Sequence, residues 1–163
     1  MPYFSTKTYG HDIGLSTAFR QHRAASHCNK LHGYALSVRL VFEANALDAN
    51  NWVMDFGALK PIKLWLEAMF NHKTLVARDD PEMKLFHELF QYGVIDLVVV
   101  EATGCEAFAK IIYDWVQHYT LTNYGWRVTL ESVTVAEHGA NSAIYTGASD
   151  ANKKESVPSR PDL

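Results

Sequence analysis

The chain has 163 residues, of which 48% are hydrophobic, and its formal net charge is −3. This length and composition fit one globular domain with a sizeable core, and the slightly acidic balance does not indicate nucleic acid or an anionic membrane as the main partner. No apolar run approaches the roughly 18 residues of a membrane-spanning helix, and two cysteines are too few for a disulfide scaffold, so we expect free thiols and a cytoplasmic location.

The first half of the chain is predicted to form a strand and then a helix. Apolar and polar residues alternate over residues 34–42, which indicates a strand with one buried face. Apolar residues at helical spacing over residues 57–70 indicate an amphipathic helix. Pro61 lies in the first turn of this helix, where its missing N–H costs nothing, and Asp55 is placed to cap the helix start.

The second half of the chain is predicted to contain a helix followed by a β-hairpin. Residues 73–93 are hard to assign, although residues 81–92 have the pattern of a short amphipathic helix. A β-branched run over residues 95–100 favours a strand. The remaining predicted elements are a helix over residues 105–119, a turn at residues 123–125, a strand over residues 126–137, a turn at residues 138–141 and a strand over residues 142–146.

This order of elements predicts an α+β fold, in which an antiparallel sheet is covered on one face by two helices. A small sheet of this kind has open edges, which favour pairing between subunits, so we expect a homo-oligomer. The folded domain is predicted to span residues 1–147. Residues 148–163 are polar, charged and proline-bearing, and we expect this tail to be disordered.

The segment from Cys28 to Tyr34 carries the first candidate for chemistry. Cys28 precedes His32 by four residues, and Gly33 allows the backbone to approach another group closely. A cysteine and a histidine at this spacing can bind a metal, act as acid–base partners, or have no shared role. The residues alone leave these three interpretations open.

Six segments of the chain, in order, resemble motifs of the 6-pyruvoyl/6-carboxy-tetrahydropterin synthase family. The segment Cys28-Asn-Lys-Leu-His32-Gly33-Tyr34 is similar to the motif Cys-x-x-x-His-Gly-His, in particular that of the bacterial 6-carboxy branch. The other five segments are residues 15–20, 53–60, 70–75, 105–109 and 133–145. They resemble Phe-Ser-Ala-Ala-His-Arg, Val-Met-Asp-Phe-x-x-Leu-Lys, Leu-Asp-His-x-x-Leu, Ser-Glu-Asn-Leu-Ala, and Val-x-Val-x-Glu-Thr with a following tyrosine. The resemblance covers nearly the whole predicted domain.

The resemblance implies a fold and a reaction. The fold is the tunnelling fold, a unit of two strands, two helices and two strands whose sheets join across subunits, in hexamers with active sites between subunits. The implied substrate is 7,8-dihydroneopterin triphosphate. The 6-carboxy branch cleaves its side chain to give 6-carboxy-tetrahydropterin, acetaldehyde and triphosphate, a step toward the queuosine base of tRNA. The pyruvoyl branch eliminates triphosphate without cleaving a carbon–carbon bond.

The resemblance also implies roles for particular residues. Cys28 matches the base that removes a proton from a substrate carbon, and His72 matches the histidine that shuttles protons. Asn71 stands where the family has an aspartate; an asparagine can orient an imidazole but cannot stabilise imidazolium by charge. Glu137 matches the carboxylate that grips the pterin through two parallel hydrogen bonds. Glu106 is a second candidate for substrate binding, although a carboxylate at a helix start has a structural role in any case.

The family's zinc site is degenerate in this chain. The resemblance implies three histidine ligands, and this chain has Phe19, His32 and Tyr34 at those positions. One histidine does not make a catalytic zinc site, which has three protein ligands and an open position. His22 is a tentative replacement ligand beside His32, and His27 is another donor nearby. We therefore expect a rebuilt or weaker zinc site or an enzyme that depends little on metal, and no organic cofactor.

Two alternatives to the 6-carboxy reaction remain open. The loss of two zinc ligands and of the aspartate favours an inactive paralogue that binds pterin without turnover. The retention of Cys28, His72 and Glu137 favours an enzyme, which could also be of the pyruvoyl type. The candidate cations for binding the triphosphate are Arg20, Arg23, Lys30 and Lys73.

Overall fold

The computed structural model describes residues 1–147 of the chain, and the predicted tail at 148–163 lies outside the described residues. Residues 1–147 form strands β1 to β7 and helices α1 to α3. Their bounds, in chain order, are β1 Tyr3–Tyr9, β2 Leu15–Phe19, β3 His32–Ala44, α1 Lys60–Phe70, β4 Lys73–Ala77, α2 Met83–Gln91, β5 Leu97–Val100, α3 Cys105–Tyr124, β6 Thr129–His138 and β7 Asn141–Thr146.

All seven strands join one sheet in the order β5-β4-β2-β3-β6-β7, and β1 pairs with the second half of β3. The first half of β3 pairs antiparallel with β2, so that Phe19 lies opposite His32. β3 is also antiparallel to β6, and β6 and β7 form the predicted hairpin. The long strand β3 therefore connects β2 to the end of β6, where Glu137 lies.

The α+β fold class is confirmed, but the sheet is mixed and not purely antiparallel. β4 runs parallel to both β2 and β5. The four residues from Thr74 to Ala77 are all buried, which is typical of a parallel strand covered on both faces. A continuous buried run lacks the alternation that marks a half-exposed strand, and for that reason residues 73–77 gave no clear prediction.

The helices differ from the prediction in number and length. The short helix suggested for residues 81–92 is present as α2, so the domain has a third helix. α3 continues five residues beyond the predicted end at Tyr119 and stops before Gly125, which has a φ of 59°. The predicted turn at residues 123–125 is therefore wrong for its first two residues. None of the helices within residues 1–147 is both long enough and apolar enough to cross a membrane.

α1 and α3 pack on one face of the sheet, as the sequence predicted. Their fully buried apolar side chains larger than alanine are Ile62, Leu66, Phe70, Phe108, Ile112 and Val116. Trp65 of α1 stacks on Trp115 of α3, with ring centroids 4.6 Å apart and planes 10° from parallel. Asp55 caps a helix start, as predicted, because its Oδ1 accepts a hydrogen bond from the Gly57 N–H at 2.7 Å. It caps a 3-10 turn at Phe56–Leu59 that leads into α1.

Candidate active site

Three aromatic side chains from β2 and β3 converge at the positions that the resemblance assigned to zinc ligands. The ring centroids of Phe19 and His32 are 4.9 Å apart, those of His32 and Tyr34 are 5.6 Å apart, and those of Phe19 and Tyr34 are 6.3 Å apart. The register of β2 and β3 explains this, because Phe19 lies opposite His32 and Tyr34 follows His32 by two residues on the same face.

These three positions do not fit a three-histidine zinc site. Phe19 has no donor atom, and its ring has no exposed surface and packs edge-on against Phe108. His32 Nδ1 lies 2.7 Å from the Lys30 carbonyl oxygen, which can only accept, so Nδ1 carries the proton and Nε2 is the free nitrogen. Among residues 1–147, no group of three or more His, Cys, Asp or Glu side chains has the spacing of a metal site.

The two other histidines considered as donors lie in the segment between β2 and β3. His22 is mostly buried, and its ring nitrogens lie 3.7 Å from an Asp79 oxygen and 3.8 Å from an Asp80 oxygen. His27 is exposed and starts a short 3-10 turn that ends at Asn29. The structure therefore places His22 among carboxylates of the segment that follows β4.

Cys28 lies in the same 3-10 turn and is half-buried. Its backbone N–H donates to Ser26 Oγ at 3.4 Å, and its carbonyl accepts from the Gln21 N–H at 2.9 Å. Lys30 and Leu31 separate the turn from β3, so the backbone of Cys28 is held four residues before His32. Gly33 is required there, because an added Cβ would lie 2.6 Å from the Thr17 carbonyl oxygen of β2.

Glu137, Cys28 and Cys105 all lie close enough to the Tyr34 phenol to act on its ionisation. The pKa of Tyr34 is raised, chiefly by the negative charge of Glu137, then by burial and by the two cysteines. The His138 ring is a further neighbour, with its centroid 6.0 Å from that of Tyr34. The predicted base Cys28 and the predicted pterin ligand Glu137 thus both raise the pKa of one phenol.

Cys105 is the site residue that the sequence did not single out. It is buried at the first position of α3. Burial raises the pKa of its thiol to about 12, the carboxylates of Glu137 and Glu106 add to the rise, and the Glu137 backbone N–H opposes it. Glu106 therefore lies near this group as well, at the start of the helix where the sequence placed it.

His72 lies between α1 and β4, next to β2. It follows α1 with a φ of 57°, and its backbone N–H donates to the Ser16 carbonyl at 2.7 Å. It borders a groove of about 680 Å³ that is also lined by Ser16, Gly33, Tyr34 and Ala35, here called the His72 groove. Because side chains alternate along a strand, Gly33 and Ala35 face away from the aromatic cluster. No hydrogen bond or ion pair within residues 1–147 joins His72 to Cys28 or Glu137.

Three of the four candidate cations are already paired with carboxylates. Arg20 pairs with Asp80, Arg23 with Asp79, and Lys73 with Asp96. Lys30 is exposed and has no ion pair in the described part of the chain. A triphosphate bound by a single copy of the chain would therefore meet mostly neutralised charges.

Comparisons with known proteins agree on one family. The model of the 6-pyruvoyl tetrahydropterin synthase family matches residues 11–148. The 6-carboxy-5,6,7,8-tetrahydropterin synthase of Rickettsia felis is 36% identical over 66 residues, which cover 38% of this chain and 48% of that protein. The protein of the same name from Aquifex aeolicus is 27% identical over 108 residues, covering 64% of this chain and 65% of that protein. The chain thus spans about half to two thirds of these curated relatives.

Two solved structures share the fold. An uncharacterised protein from Wolinella succinogenes has a TM-score of 0.75 and 16% identity, with 91% of this chain and 99% of that chain covered. A 6-pyruvoyltetrahydropterin synthase from Plasmodium vivax, solved as a catalytic-residue mutant, has a TM-score of 0.63 and 16% identity, with 88% and 97% covered. At this level of identity the likeness shows the fold alone.

Proposed function

Because the chain belongs to the 6-pyruvoyl tetrahydropterin synthase family, we propose that it is a carbon–carbon lyase acting on 7,8-dihydroneopterin triphosphate. The proposed reaction consumes water and releases 6-carboxy-tetrahydropterin, acetaldehyde and triphosphate. The names of the Rickettsia felis and Aquifex aeolicus relatives support the 6-carboxy product. The proposed product is a precursor of queuosine, and the proposed location is the cytoplasm.

The observation that carries this proposal is that Glu137 and Cys28 both raise the pKa of Tyr34, whose ring centroid lies 6.0 Å from that of His138, the residue after Glu137. In the proposed site, the Glu137 carboxylate accepts two parallel hydrogen bonds from the amino group and a ring N–H of the pterin. The Cys28 thiolate then removes a proton from the side chain of the bound substrate. Glu106, near the start of α3, is the second carboxylate proposed to contact the substrate.

The proposed proton shuttle is His72, oriented by Asn71. It borders a groove lined by Ser16, Gly33, Tyr34 and Ala35, and no hydrogen bond or ion pair among residues 1–147 joins it to Cys28 or Glu137. We therefore place His72 in the site of a neighbouring copy, so that a complete site contains Cys28 and Glu137 from one chain and His72 from another. This arrangement requires a homo-oligomer, for which we propose the hexamer that the resemblance implies.

For zinc we propose a weak or rebuilt site. His32 Nε2 is the one nitrogen available at the three family positions, because Phe19 has no donor atom and the raised pKa of Tyr34 disfavours a phenolate ligand. A bound zinc ion would polarise the side-chain oxygens of the substrate. The roles given to Cys28, His72 and Glu137 do not depend on it.

A second candidate function is pterin binding without turnover. It is favoured by the neutral Asn71 beside His72 and by the buried phenylalanine at a ligand position. Retention of both Cys28 and Glu137 near Tyr34 favours the enzyme.

The decisive experiment is to incubate the purified protein with 7,8-dihydroneopterin triphosphate, with and without added zinc, and to identify the products. Acetaldehyde together with triphosphate supports the proposed lyase. Triphosphate without acetaldehyde indicates the pyruvoyl-type elimination instead. Absence of both products, with pterin binding intact by calorimetry, indicates the binding paralogue. The Cys28→Ala variant is the matched control for contaminating activity.

A further inference from the structure

The segment that carries Cys28 is held by the two residues that follow β2. This segment, residues 20–31, joins β2 to β3 and is here called the Cys28 loop. The Gln21 N–H donates to the Cys28 carbonyl at 2.9 Å, and Arg20 Nη1 donates to the Asn29 carbonyl at 3.4 Å. Arg20 and Gln21 together therefore hold the backbone of residues 28 and 29.

Arg20 is in turn fixed by Asp80, which lies between β4 and α2. Arg20 Nε donates to Asp80 Oδ2 at 2.8 Å, and Arg20 Nη2 donates to Asp80 Oδ1 at 2.5 Å. Asp80 Oδ1 also accepts the Glu82 N–H at 2.8 Å. A guanidinium that bonds both oxygens of a carboxylate has a fixed orientation as well as a fixed position.

The burial of Asp80 makes this pair a strong constraint. The Asp80 side chain has no exposed surface, and an unpaired buried carboxylate is strongly unfavourable. The hydrogen bond from Arg20 holds the pKa of Asp80 below its ordinary value. The guanidinium also lies 5.9 Å from the ring centroid of Phe86. Arg20 is thus held between a buried charge and an aromatic face.

Other contacts join the same two segments but are weaker constraints. Arg23 pairs with Asp79, yet both side chains are well exposed, and exposed pairs contribute little to stability. His22 lies near both Asp79 and Asp80 without a short contact to either. The Arg20 carbonyl accepts a hydrogen bond from Thr103 Oγ1 at 2.6 Å, which fixes the start of the loop. The buried pair remains the strongest single link.

We propose that Asp80 is a positioning residue that acts through Arg20 to place the Cys28 thiol against the substrate. The path is short: Asp80 orients the guanidinium, and Arg20 and Gln21 hold the carbonyls of residues 28 and 29. This inference rests on the proposed role of Cys28 as the base. It assigns His22 to the acidic surroundings of Asp79 and Asp80 and not to a metal.

The test uses two variants and one control. Asp80→Asn keeps the shape and removes the charge. Arg20→Lys keeps a cation that cannot span both carboxylate oxygens and the Asn29 carbonyl. Both variants should lower kcat by about 10- to 100-fold, since a displacement of about 1 Å is enough for such a loss. The dissociation constant for pterin should stay unchanged, because Glu137 lies on β6. The control Glu101→Gln breaks the exposed pair with Arg78 and should leave both quantities unchanged.

A second readout does not require turnover. The rate of Cys28 alkylation by iodoacetamide, followed by peptide mass spectrometry, reports the surroundings of the thiol, and buried Cys105 is the internal reference. Both variants should change the Cys28 rate by about threefold or more. A folded variant with the wild-type kcat overturns the proposal. An unchanged rate of Cys28 alkylation in the variants also overturns it. A loss of pterin affinity as large as the loss of kcat does the same.

The test still gives an answer if a variant does not fold or if the wild-type protein shows no turnover. If Asp80→Asn does not fold, Arg20→Lys decides by the same criteria. If the wild type shows no turnover, the proposed function fails, while the alkylation rates still decide whether Asp80 and Arg20 position the Cys28 thiol.

Discussion

The Nδ1 atom of His72 lies 2.7 Å from the Oδ1 atom of Asn71. An amide oxygen only accepts, so the ring nitrogen donates and the imidazole is oriented without a neighbouring charge. Replacing Asn71 by aspartate keeps the acceptor and adds a carboxylate that stabilises imidazolium. If His72 is the proton shuttle, Asn71→Asp should raise kcat by about 10-fold.

The matched control is Asn71→Ala, which removes the acceptor and should lower kcat relative to the wild type. The kcat values of the three proteins are compared at one pH with saturating substrate. Equal rates in all three would show that the 2.7 Å contact has no part in turnover.

Cys28→Ala should abolish turnover while leaving pterin affinity intact. The thiol is proposed to act on a carbon of the substrate side chain, whereas Glu137 is proposed to hold the ring. Product formation and the calorimetric dissociation constant for pterin separate these two effects. Cys105→Ala is the control for loss of a thiol near the same phenol. A Cys28→Ala variant that works at the wild-type rate would make the thiol structural.

Glu137→Gln should weaken pterin binding by about 1.5–3 kcal/mol, the range for a hydrogen bond to a charged group. The amide can still accept one hydrogen bond but no longer offers two equivalent oxygens or a charge. Calorimetry with pterin measures the loss directly. Glu131→Gln, at an earlier position of the same strand, is the control and should bind like the wild type. An unchanged affinity in Glu137→Gln would remove this residue from the site.

Zinc binding should be weaker than at a three-histidine site, and activity should tolerate chelators. The reason is geometric: three side chains converge, but Phe19 and Tyr34 occupy two of the three positions. Metal analysis of protein purified without added zinc, followed by competition with a calibrated chelator, measures the affinity. One tightly held zinc per subunit, whose removal abolishes activity, contradicts this prediction.

A gain-of-function variant sharpens the metal test. The double substitution of Phe19 and Tyr34 by histidine rebuilds the donor set around His32, and it should bind zinc more tightly than the wild type. His32→Ala in the wild-type background is the control and should leave zinc content nearly unchanged. Because Phe19 is fully buried, thermal unfolding of the double variant has to be measured alongside.

The stability of the protein should fall at alkaline pH because of Cys105. Burial raises the pKa of this thiol from 9.0 to about 12. The unfolded chain therefore ionises first, so the stabilising contribution is complete below pH 9.0 and is lost as pH rises toward 12. Each pH unit within this window lowers the free energy of unfolding by up to about 1.4 kcal/mol. Cys105→Ala should flatten this dependence.

The most informative interval for this measurement is between pH 9 and pH 10. The raised pKa values of Tyr9 and Tyr113 add a similar dependence only above their ordinary value of 10.0. Urea unfolding of the wild type and of Cys105→Ala over this interval isolates the buried thiol. A slope in Cys105→Ala equal to that of the wild type would contradict the prediction.

The parts of the fold that could be predicted are those with a strong local period. β3, α1 and the β6–β7 hairpin each bury one face, and their apolar spacing indicates it. β4 could not be predicted in the same way, because it is buried throughout and its partners β2 and β5 are distant in sequence. Parallel pairing of this kind depends on the global arrangement of the chain and leaves little trace in local sequence.

The candidate site could be predicted in part, for a similar reason. The convergence of residues 19, 32 and 34 follows from the register of two neighbouring strands. The proximity of Cys105 to Glu137 depends on how the start of α3 meets the end of β6, which no local pattern reports. The separation of His72 from Cys28 and Glu137 depends on the path of the chain from α1 into β4. The family resemblance indicated the candidate residues, and long-range packing decided which of them meet.

The stacked indoles of Trp65 and Trp115 give the molecule an optical property. Their planes are nearly parallel, and Tyr119 continues the stack with its ring 5.8 Å from Trp115. Chromophores this close share their excited states, so the pair should give an exciton couplet in circular dichroism. Because one indole belongs to α1 and the other to α3, the couplet reports the docking of the two helices. It can therefore be used to follow assembly of the core during refolding without an added label.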